Sequence, residues 1–123
     1  MTPLLFAGLA LMGGVGAGLR WLADVLLSRV LPRGFPWPIL IVNATGSLAL
    51  GTLTGLALDQ GWMALLGTGL LGGYTTFSTV AVDTRVLAQE GRPEAAWGNA
   101  LGTLVLCVGT ATAGLALGAA LAG

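Results

Sequence analysis

Long uncharged runs of mostly apolar residues dominate this 123-residue chain. Only 8% of the residues are charged and 55% are hydrophobic, with a mean hydropathy of +0.90, whereas about a quarter of residues are charged in an ordinary soluble domain. A helix crosses the hydrocarbon core of a bilayer with about 20 apolar residues, so each run is long enough for one crossing. The runs cover residues 1–19, 34–58, 60–82 and 95–123. The sequence therefore predicts a multi-pass helical membrane protein and excludes a soluble enzyme.

The four runs predict one compact domain, residues 1–123, with short loops. The expected spans are about 3–26, 36–58, 62–86 and 95–121. Each predicted span has a tryptophan near one end, where an indole ring prefers the membrane interface; these are Trp21, Trp37, Trp62 and Trp97. The first run lacks a basic start and is expected to be a retained span, not a signal peptide.

Charge and cysteine content remove several classes of function. Five arginines and five acids balance, so no basic face is available for a nucleic acid. The single cysteine, Cys107, cannot form an internal disulfide, and no His or Cys cluster provides a zinc site. No nucleotide-binding motif is present, and we expect no enzymatic activity.

Glycine is the main packing residue, with 21 in the chain. In lipid, small residues four apart let helix backbones approach closely. Such pairs occur at Gly14 and Gly18, Gly51 and Gly55, Gly69 and Gly73, Gly98 and Gly102, and Gly114 and Gly118. Gly72-Gly73 differs because polar Thr75, Thr76, Ser78 and Thr79 follow within an apolar span. This stretch predicts a helix that breaks near the middle of the third span.

Neutral hydrogen-bond donors are the polar groups expected inside the bilayer. Asn43 lies in the second span, and Asn99, Thr103 and Cys107 follow one another at intervals of four in the fourth. Residues four apart share a helical face, so these groups form a polar stripe. Such a stripe either lines an anion pathway or joins helices to one another. Phe77 likewise either packs or offers its electropositive ring edge to an anion.

The acidic residues all fall at span ends or in loops. A proton-coupled exporter of this size needs a carboxylate at mid-membrane, and the chain has none there. Arg20 and Asp24 are four apart on one helical face, so Arg20 either pairs with Asp24 or attracts anions into a vestibule.

Three motifs resemble the Fluc or CrcB family of fluoride channels, across the whole chain. They are Gly13-Gly14-x-Gly16-Ala17-x-x-Arg20, Val42-Asn43-x-x-Gly46-Ser47, and Gly72-Gly73-Tyr74-Thr75-Thr76-Phe77-Ser78-Thr79. The resemblance implies a fluoride-selective channel of the cell (plasma or inner) membrane that lets fluoride leave the cytoplasm passively, which lowers its toxicity. The alternatives are an ion-coupled small transporter and a non-conducting membrane scaffold.

The resemblance also implies an assembly and a set of site residues. Two subunits would insert in opposite orientations as an antiparallel dual-topology dimer, and carbonyls of Gly72 and Thr75 from both would hold a structural sodium ion. The implied fluoride pore consists of Asn43, Phe77, Val80, Asn99, Thr103 and Cys107. Val80 stands where the family usually has a second Phe, so the nearby fluoride site would be weaker or supplied by the partner. Family members usually carry Tyr and Ser where Asn99 and Cys107 stand.

The arginines favour one orientation in the membrane. All five are expected on the side of the first and third loops, namely Arg20, Arg29, Arg33, Arg85 and Arg92. The positive-inside rule then places both termini outside the cytoplasm. A self-pairing subunit should show little such bias, so both a homodimer and a heterodimer with an oppositely oriented paralogue remain open.

Overall fold

Helices account for nearly all of the structure, a computed structural model that describes residues 2–123 and contains no strand within them. They are α1 (Pro3–Val30), α2 (Trp37–Gly55), α3 (Gln60–Trp62), a π-helix (Met63–Leu71), α4 (Gly72–Tyr74), α5 (Ser78–Gln89) and α6 (Pro93–Ala122). The segment Gln60–Gln89, together with α1, α2 and α6, makes four segments long and apolar enough to cross a membrane. The predicted all-helical, four-span membrane fold is confirmed.

Capping residues define where the helices begin. At the start of α1, the Thr2 side-chain oxygen accepts a hydrogen bond from the Leu5 amide, and Pro3 occupies the first helical position. Asp59 caps α3 in the same way, with its Oδ1 accepting from the Trp62 amide at 3.0 Å. Since Asp59 fixes that start, the third span begins at Gln60, two residues before the predicted boundary.

Three span ends lie three or four residues from the expected boundaries, and the third span ends at Gln89 instead of residue 86. The first helix continues four residues beyond the predicted end, to Val30, and stops there because Pro32 disfavours helical backbone at Leu31, which is extended. The second helix ends at Gly55 instead of residue 58. Ala57 there adopts a left-handed conformation (φ +55°), which turns the chain toward the cap at Asp59.

The third span is not a uniform α-helix. A π-helix of nine residues precedes α4, which ends at Tyr74. Thr75 is extended (φ −80°, ψ 158°), and α5 begins only at Ser78. Residues 75–77, hereafter the interruption, therefore leave backbone polar groups without helical partners in the middle of an apolar segment.

Glycines bring the helices into backbone contact. The most extensive helix pair is α2 with α6, and an added Cβ at Gly51 or Gly114 would overlap a carbonyl oxygen of the facing helix. On the other side, a Cβ at Gly16 would overlap the carbonyl oxygen of Leu70 in the π-helix. The pair Gly51 and Gly55 and the pair Gly114 and Gly118 are confirmed as contact surfaces. By contrast, Gly14, Gly18, Gly98 and Gly102 have open space where a Cβ would lie.

Two loops meet at one end of the bundle. The Arg92 guanidinium donates a hydrogen bond to the carbonyl oxygen of Gly34, which joins the loop after α5 to the loop after α1. Gly34 has a φ of +101°, a conformation that a residue with a side chain rarely adopts. This end, together with the adjoining parts of α1 and α5, carries all five arginines, whereas the opposite end, with Asp59, carries none.

Candidate functional site

A groove of about 520 Å³ runs between α2, the third span and α6. We call it the central groove, because its walls come from the middle of each of these segments. Most of the predicted site residues line it: Asn43, Gly72, Thr75, Phe77, Val80, Thr103 and Cys107. Its remaining walls are apolar or small, and no Asp, Glu, Lys or Arg lines it.

Asn43 is buried, with 6% of its surface exposed, and it contacts the interruption directly. Its Nδ2 donates to the carbonyl oxygen of Thr76 at 2.9 Å, and its Oδ1 accepts from the Thr76 amide at 2.8 Å. One of the two Nδ2 hydrogens is thus engaged in the fold. The other has no protein acceptor within residues 2–123, and Asn43 is one of the residues that line the central groove.

Thr103 supplies a hydroxyl without a partner. Its Oγ1 is the only buried side-chain nitrogen or oxygen in residues 2–123 that makes no hydrogen bond. Thr52, Thr84 and Thr112, by contrast, each donate to the carbonyl four residues earlier. Burying an unpaired hydroxyl costs about 1–3 kcal/mol, so this oxygen on the groove wall is a ready partner for a bound species.

Asn99 lies elsewhere. Only 2% of its surface is exposed, and its Nδ2 donates to Thr84 Oγ1 at 2.9 Å and, more weakly, to the Val80 carbonyl oxygen at 3.5 Å. It is not among the residues that line the central groove. Its amide joins α6 to α5. Of the two alternatives for the polar stripe, an anion pathway or a contact between helices, Asn99 thus shows the second. The pore role that the resemblance implies for Asn99 stays a prediction.

Phe77 and Val80 occupy the groove in different ways. The Phe77 side chain is 85% exposed at the entry to α5, whereas Val80 is only 9% exposed one turn later. Cys107 is half-buried and lies on the α6 wall near Thr103. One side of the groove is therefore a projecting aromatic ring, and the opposite side is a hydroxyl and a thiol.

Gly72 and Thr75 offer backbone oxygens at the interruption. In a continuous helix the Thr76 amide would donate to the Gly72 carbonyl, but here it donates to Asn43 instead. The Thr75 carbonyl likewise accepts no backbone hydrogen bond within residues 2–123. No group of three or more His, Cys, Asp or Glu side chains able to hold a metal occurs in the same range. Any cation here would be held by carbonyl oxygens.

Arg20 is partly exposed and does not line the central groove. Its potential partner Asp24 accepts a hydrogen bond from the Ser28 hydroxyl at 3.4 Å. Asp24 also lines a second cavity of about 350 Å³, whose other polar walls are Ser28, Arg33, Thr79 and Asp83. Charged groups thus gather at the arginine-bearing end and stay out of the central groove.

Sequence reasoning did not single out Thr76 or Ser47 as site residues, although both line the central groove. Thr76 is 8% exposed, and its hydroxyl contacts Ser78 Oγ at 3.2 Å and Thr79 Oγ1 at 3.1 Å. Two sequence features point to these residues. Thr76 belongs to the run of hydroxyl residues after Gly72-Gly73, and Ser47 lies one helical turn after Asn43.

Four apolar segments, three of which enclose an uncharged groove with a few neutral polar groups, define a small multi-pass membrane protein. A model of the family described as CrcB-like protein, Camphor Resistance (CrcB), matches residues 7–115, and the chain belongs to this family. It is 43% identical over 122 residues to the fluoride-specific ion channel FluC 1 of Leifsonia xyli subsp. xyli, covering 96% of this chain and 89% of that one. It is 40% identical to the fluoride-specific ion channel FluC 2 of Mycobacterium tuberculosis H37Rv, covering 93% and 90%, respectively. Identity to the fluoride-specific ion channel FluC 1 of Rubrobacter xylanophilus is 40%, over the full length of both chains.

Proposed function

We propose that this chain is a subunit of a fluoride-selective channel through which fluoride leaves the cytoplasm down its electrochemical gradient. The observation that carries the proposal is the central groove, whose polar groups are neutral donors and which no ionisable acid or base other than the Cys107 thiol lines. The names of the relatives support the same function.

Fluoride is small and strongly hydrated, so a pore must replace its water with close donors. The free Asn43 amide hydrogen, the unpaired Thr103 hydroxyl and the electropositive edge of the Phe77 ring are such donors. A fixed positive charge among them would bind the anion too tightly for release. We assign the pathway to these three residues together with Val80 and Cys107, which also line the central groove, whereas Asn99 joins α6 to α5 outside it.

Arg20 is proposed to act outside this pathway. It lies on α1 toward the arginine-bearing end and is partly exposed, so its charge is placed to raise the local anion concentration in a vestibule. Arg20→Gln should lower fluoride flux most at low ionic strength, because salt screens exposed charges. Equal loss at low and high ionic strength would contradict the vestibule role.

An antiparallel dual-topology dimer is the proposed functional unit. Support comes from the open side of the central groove, from the 85% exposure of Phe77, and from the unpartnered glycine faces of α1 and α6. The one-sided distribution of the arginines favours a heterodimer with an oppositely oriented paralogue over a homodimer. Fluoride conduction by the purified chain alone would reject the heterodimer.

We further propose that a structural sodium ion is held by the backbone carbonyls of Gly72 and Thr75. Carbonyl oxygens are suitable hard ligands for such a cation, and these two lack their helical donors at the interruption. Helix breaks within membranes are tolerated where the freed carbonyls acquire partners. The purified protein should therefore unfold at a higher temperature in sodium chloride than in N-methylglucamine chloride, and equal unfolding temperatures would contradict the site.

The pathway is tested with fluoride efflux from liposomes, measured with a fluoride electrode. Asn43→Ala and Phe77→Ala should abolish fluoride efflux while the protein still elutes as the same assembly in detergent. Unchanged flux in both variants would defeat the pore assignment. A coupled transporter would respond to an imposed proton gradient, whereas a passive channel responds only to the fluoride gradient and the membrane voltage.

A further inference from the structure

The Asn43 carboxamide and the Thr76 backbone form a reciprocal pair of hydrogen bonds. The amide donates to the Thr76 carbonyl at 2.9 Å, and the amide oxygen accepts from the Thr76 N–H at 2.8 Å. Both residues are buried, with 6% and 8% of their surfaces exposed. The two groups are 33 positions apart in sequence, so this contact joins α2 to the third span.

This pair replaces what the helix has lost at that point. Thr75 makes the last regular bond, from its amide to the Leu71 carbonyl at 2.9 Å. Thr76 comes next, and both of its backbone polar groups go to one side chain of α2. In a bilayer no water is available to satisfy such groups, and each costs several kcal/mol if left alone. The carboxamide therefore satisfies the two backbone groups of Thr76 that have no helical partner in the interruption.

Other contacts of α2 with the same stretch fix its position. An added Cβ at Gly46 would overlap the Thr75 side chain, so the absence of a side chain lets Thr75 lie directly against α2. The Thr45 hydroxyl contacts the Tyr74 hydroxyl at 3.0 Å. Three consecutive residues, Tyr74 to Thr76, thus each touch one turn of α2.

We infer that Asn43 is a positioning residue that holds the interruption in place. By fixing both backbone groups of Thr76, it sets the direction of the Thr75 carbonyl on one side and of the Phe77 backbone amide, where α5 is about to begin, on the other. The effect of this positioning on conduction rests on the proposed function, because Thr75 belongs to the proposed sodium site and Phe77 to the proposed pore. An Asn43 variant would lose flux whether Asn43 positions the interruption or donates to fluoride in the pore. The test must therefore measure the hydrogen bonding of the Thr76 backbone directly.

The substitution Asn43→Asp makes one of the two hydrogen bonds, the one donated to the Thr76 carbonyl, depend on pH. A protonated Asp side chain accepts from the Thr76 N–H and donates to its carbonyl, as Asn does, whereas the ionised form can only accept. Asn43→Leu, of similar size, can do neither at any pH. Within the central groove Cys107 is the one other titratable side chain, so the experiment uses a Cys107→Ala background.

The measurement is the amide nitrogen and proton chemical shift of Thr76 in purified, ¹⁵N-threonine-labelled protein in detergent. Thr76→Ser removes and so assigns the signal. In Asn43→Asp the Thr76 signal should move with pH and approach the position of the Asn43 protein at the acidic end, while the Asn43 protein stays constant. The Thr112 signal, from the exposed part of α6, serves as the control for folding and should not move.

In Asn43→Leu the Thr76 signal should be displaced at every pH. A Thr76 signal that does not titrate in Asn43→Asp would overturn the inference, whether or not Asn43→Leu folds. This outcome is separable from failure of the proposed function, since no fluoride flux enters the measurement. A wild-type chain that fails to conduct would reject the function and leave the Thr76 result standing.

Discussion

The buried side chain of Asn99 donates a hydrogen bond to the Thr84 hydroxyl at 2.9 Å, and this contact joins α6 to α5. Thr84 in turn donates to the Val80 carbonyl at 2.7 Å, one turn after the interruption. The orientation of α5, which begins at the projecting Phe77, therefore depends on a residue of α6 that does not line the central groove.

Replacing Asn99 with Leu, of similar volume, should lower stability and spare conduction. Interhelical hydrogen bonds in membranes contribute about 0.6–1.7 kcal/mol, so we expect a loss in that range in reversible unfolding. Thr84→Val should cause a similar loss, and the double variant should lose less than the sum because both remove one bond. Fluoride flux that falls without loss of stability in Asn99→Leu would instead support the pore role that the resemblance implies.

Replacing Thr103 with Val should have the opposite effect. Val keeps the shape of Thr and removes a hydroxyl that has no protein partner, so stability should hold or rise by up to about 1 kcal/mol. Fluoride flux should fall roughly tenfold if the hydroxyl contributes one hydrogen bond, worth about 1.4 kcal/mol, to the anion in transit. Flux is measured with the fluoride electrode at matched protein density.

Thr112→Val is the matched control for Thr103→Val. It lies on the same helix, but its hydroxyl is exposed and donates to the Val108 carbonyl at 2.8 Å. It should leave the flux unchanged. Equal flux in Thr103→Val and Thr112→Val would remove Thr103 from the pathway.

Thiol modification of Cys107 should reduce conduction. Cys107 is the only cysteine in the chain and lines the central groove while half-buried, so a small methanethiosulfonate reagent labels one defined position. The added group would occupy the space that fluoride needs, and flux should drop after treatment. Cys107→Ser should conduct and be insensitive to the reagent. Full labelling, measured by mass spectrometry, with undiminished flux would show that Cys107 lies off the pathway.

Gly114→Ala should destabilise the fold, whereas Gly109→Ala on the same helix should not. A Cβ at position 114 would overlap the Leu48 carbonyl oxygen and force α2 and α6 apart, at a cost of about 1–3 kcal/mol. A Cβ at position 109 meets nothing within 4 Å, and alanine favours helix over glycine by roughly 0.5–1 kcal/mol. Unfolding by denaturant in mixed micelles measures the difference, and equal effects would contradict backbone contact at Gly114.

The number of membrane-spanning segments and their helical character were predictable because lipid leaves a chain few alternatives. Backbone groups in hydrocarbon must be satisfied within the segment, so a long apolar run becomes a helix whatever its neighbours are. The helix ends were less predictable, since they depend on local features such as the Asp59 cap and the left-handed Ala57. The Asn43–Thr76 contact was not predictable, because it joins residues 33 positions apart and exists only once α2 packs against the third span.

The stripe of Asn99, Thr103 and Cys107 shows where spacing alone is insufficient. Four residues advance an α-helix by about 40° beyond a full turn, so a row spaced by four drifts around the helix. Over eight residues the drift is about 80°, enough for the two ends of the row to face different neighbours. Asn99 accordingly contacts α5, while Thr103 and Cys107 line the central groove. The spacing correctly predicts that these three residues lie near one another on α6, but it does not predict which of them face the central groove.

The most direct test of the proposed channel is passive fluoride release from liposomes that contain only lipid and this chain, with its oppositely oriented paralogue added in a parallel sample. After valinomycin relieves the opposing voltage, a fluoride electrode should record rapid release of trapped fluoride from at least one of the two preparations, while trapped chloride is retained. Vesicles of both kinds that retain their fluoride as long as protein-free liposomes do would contradict the account.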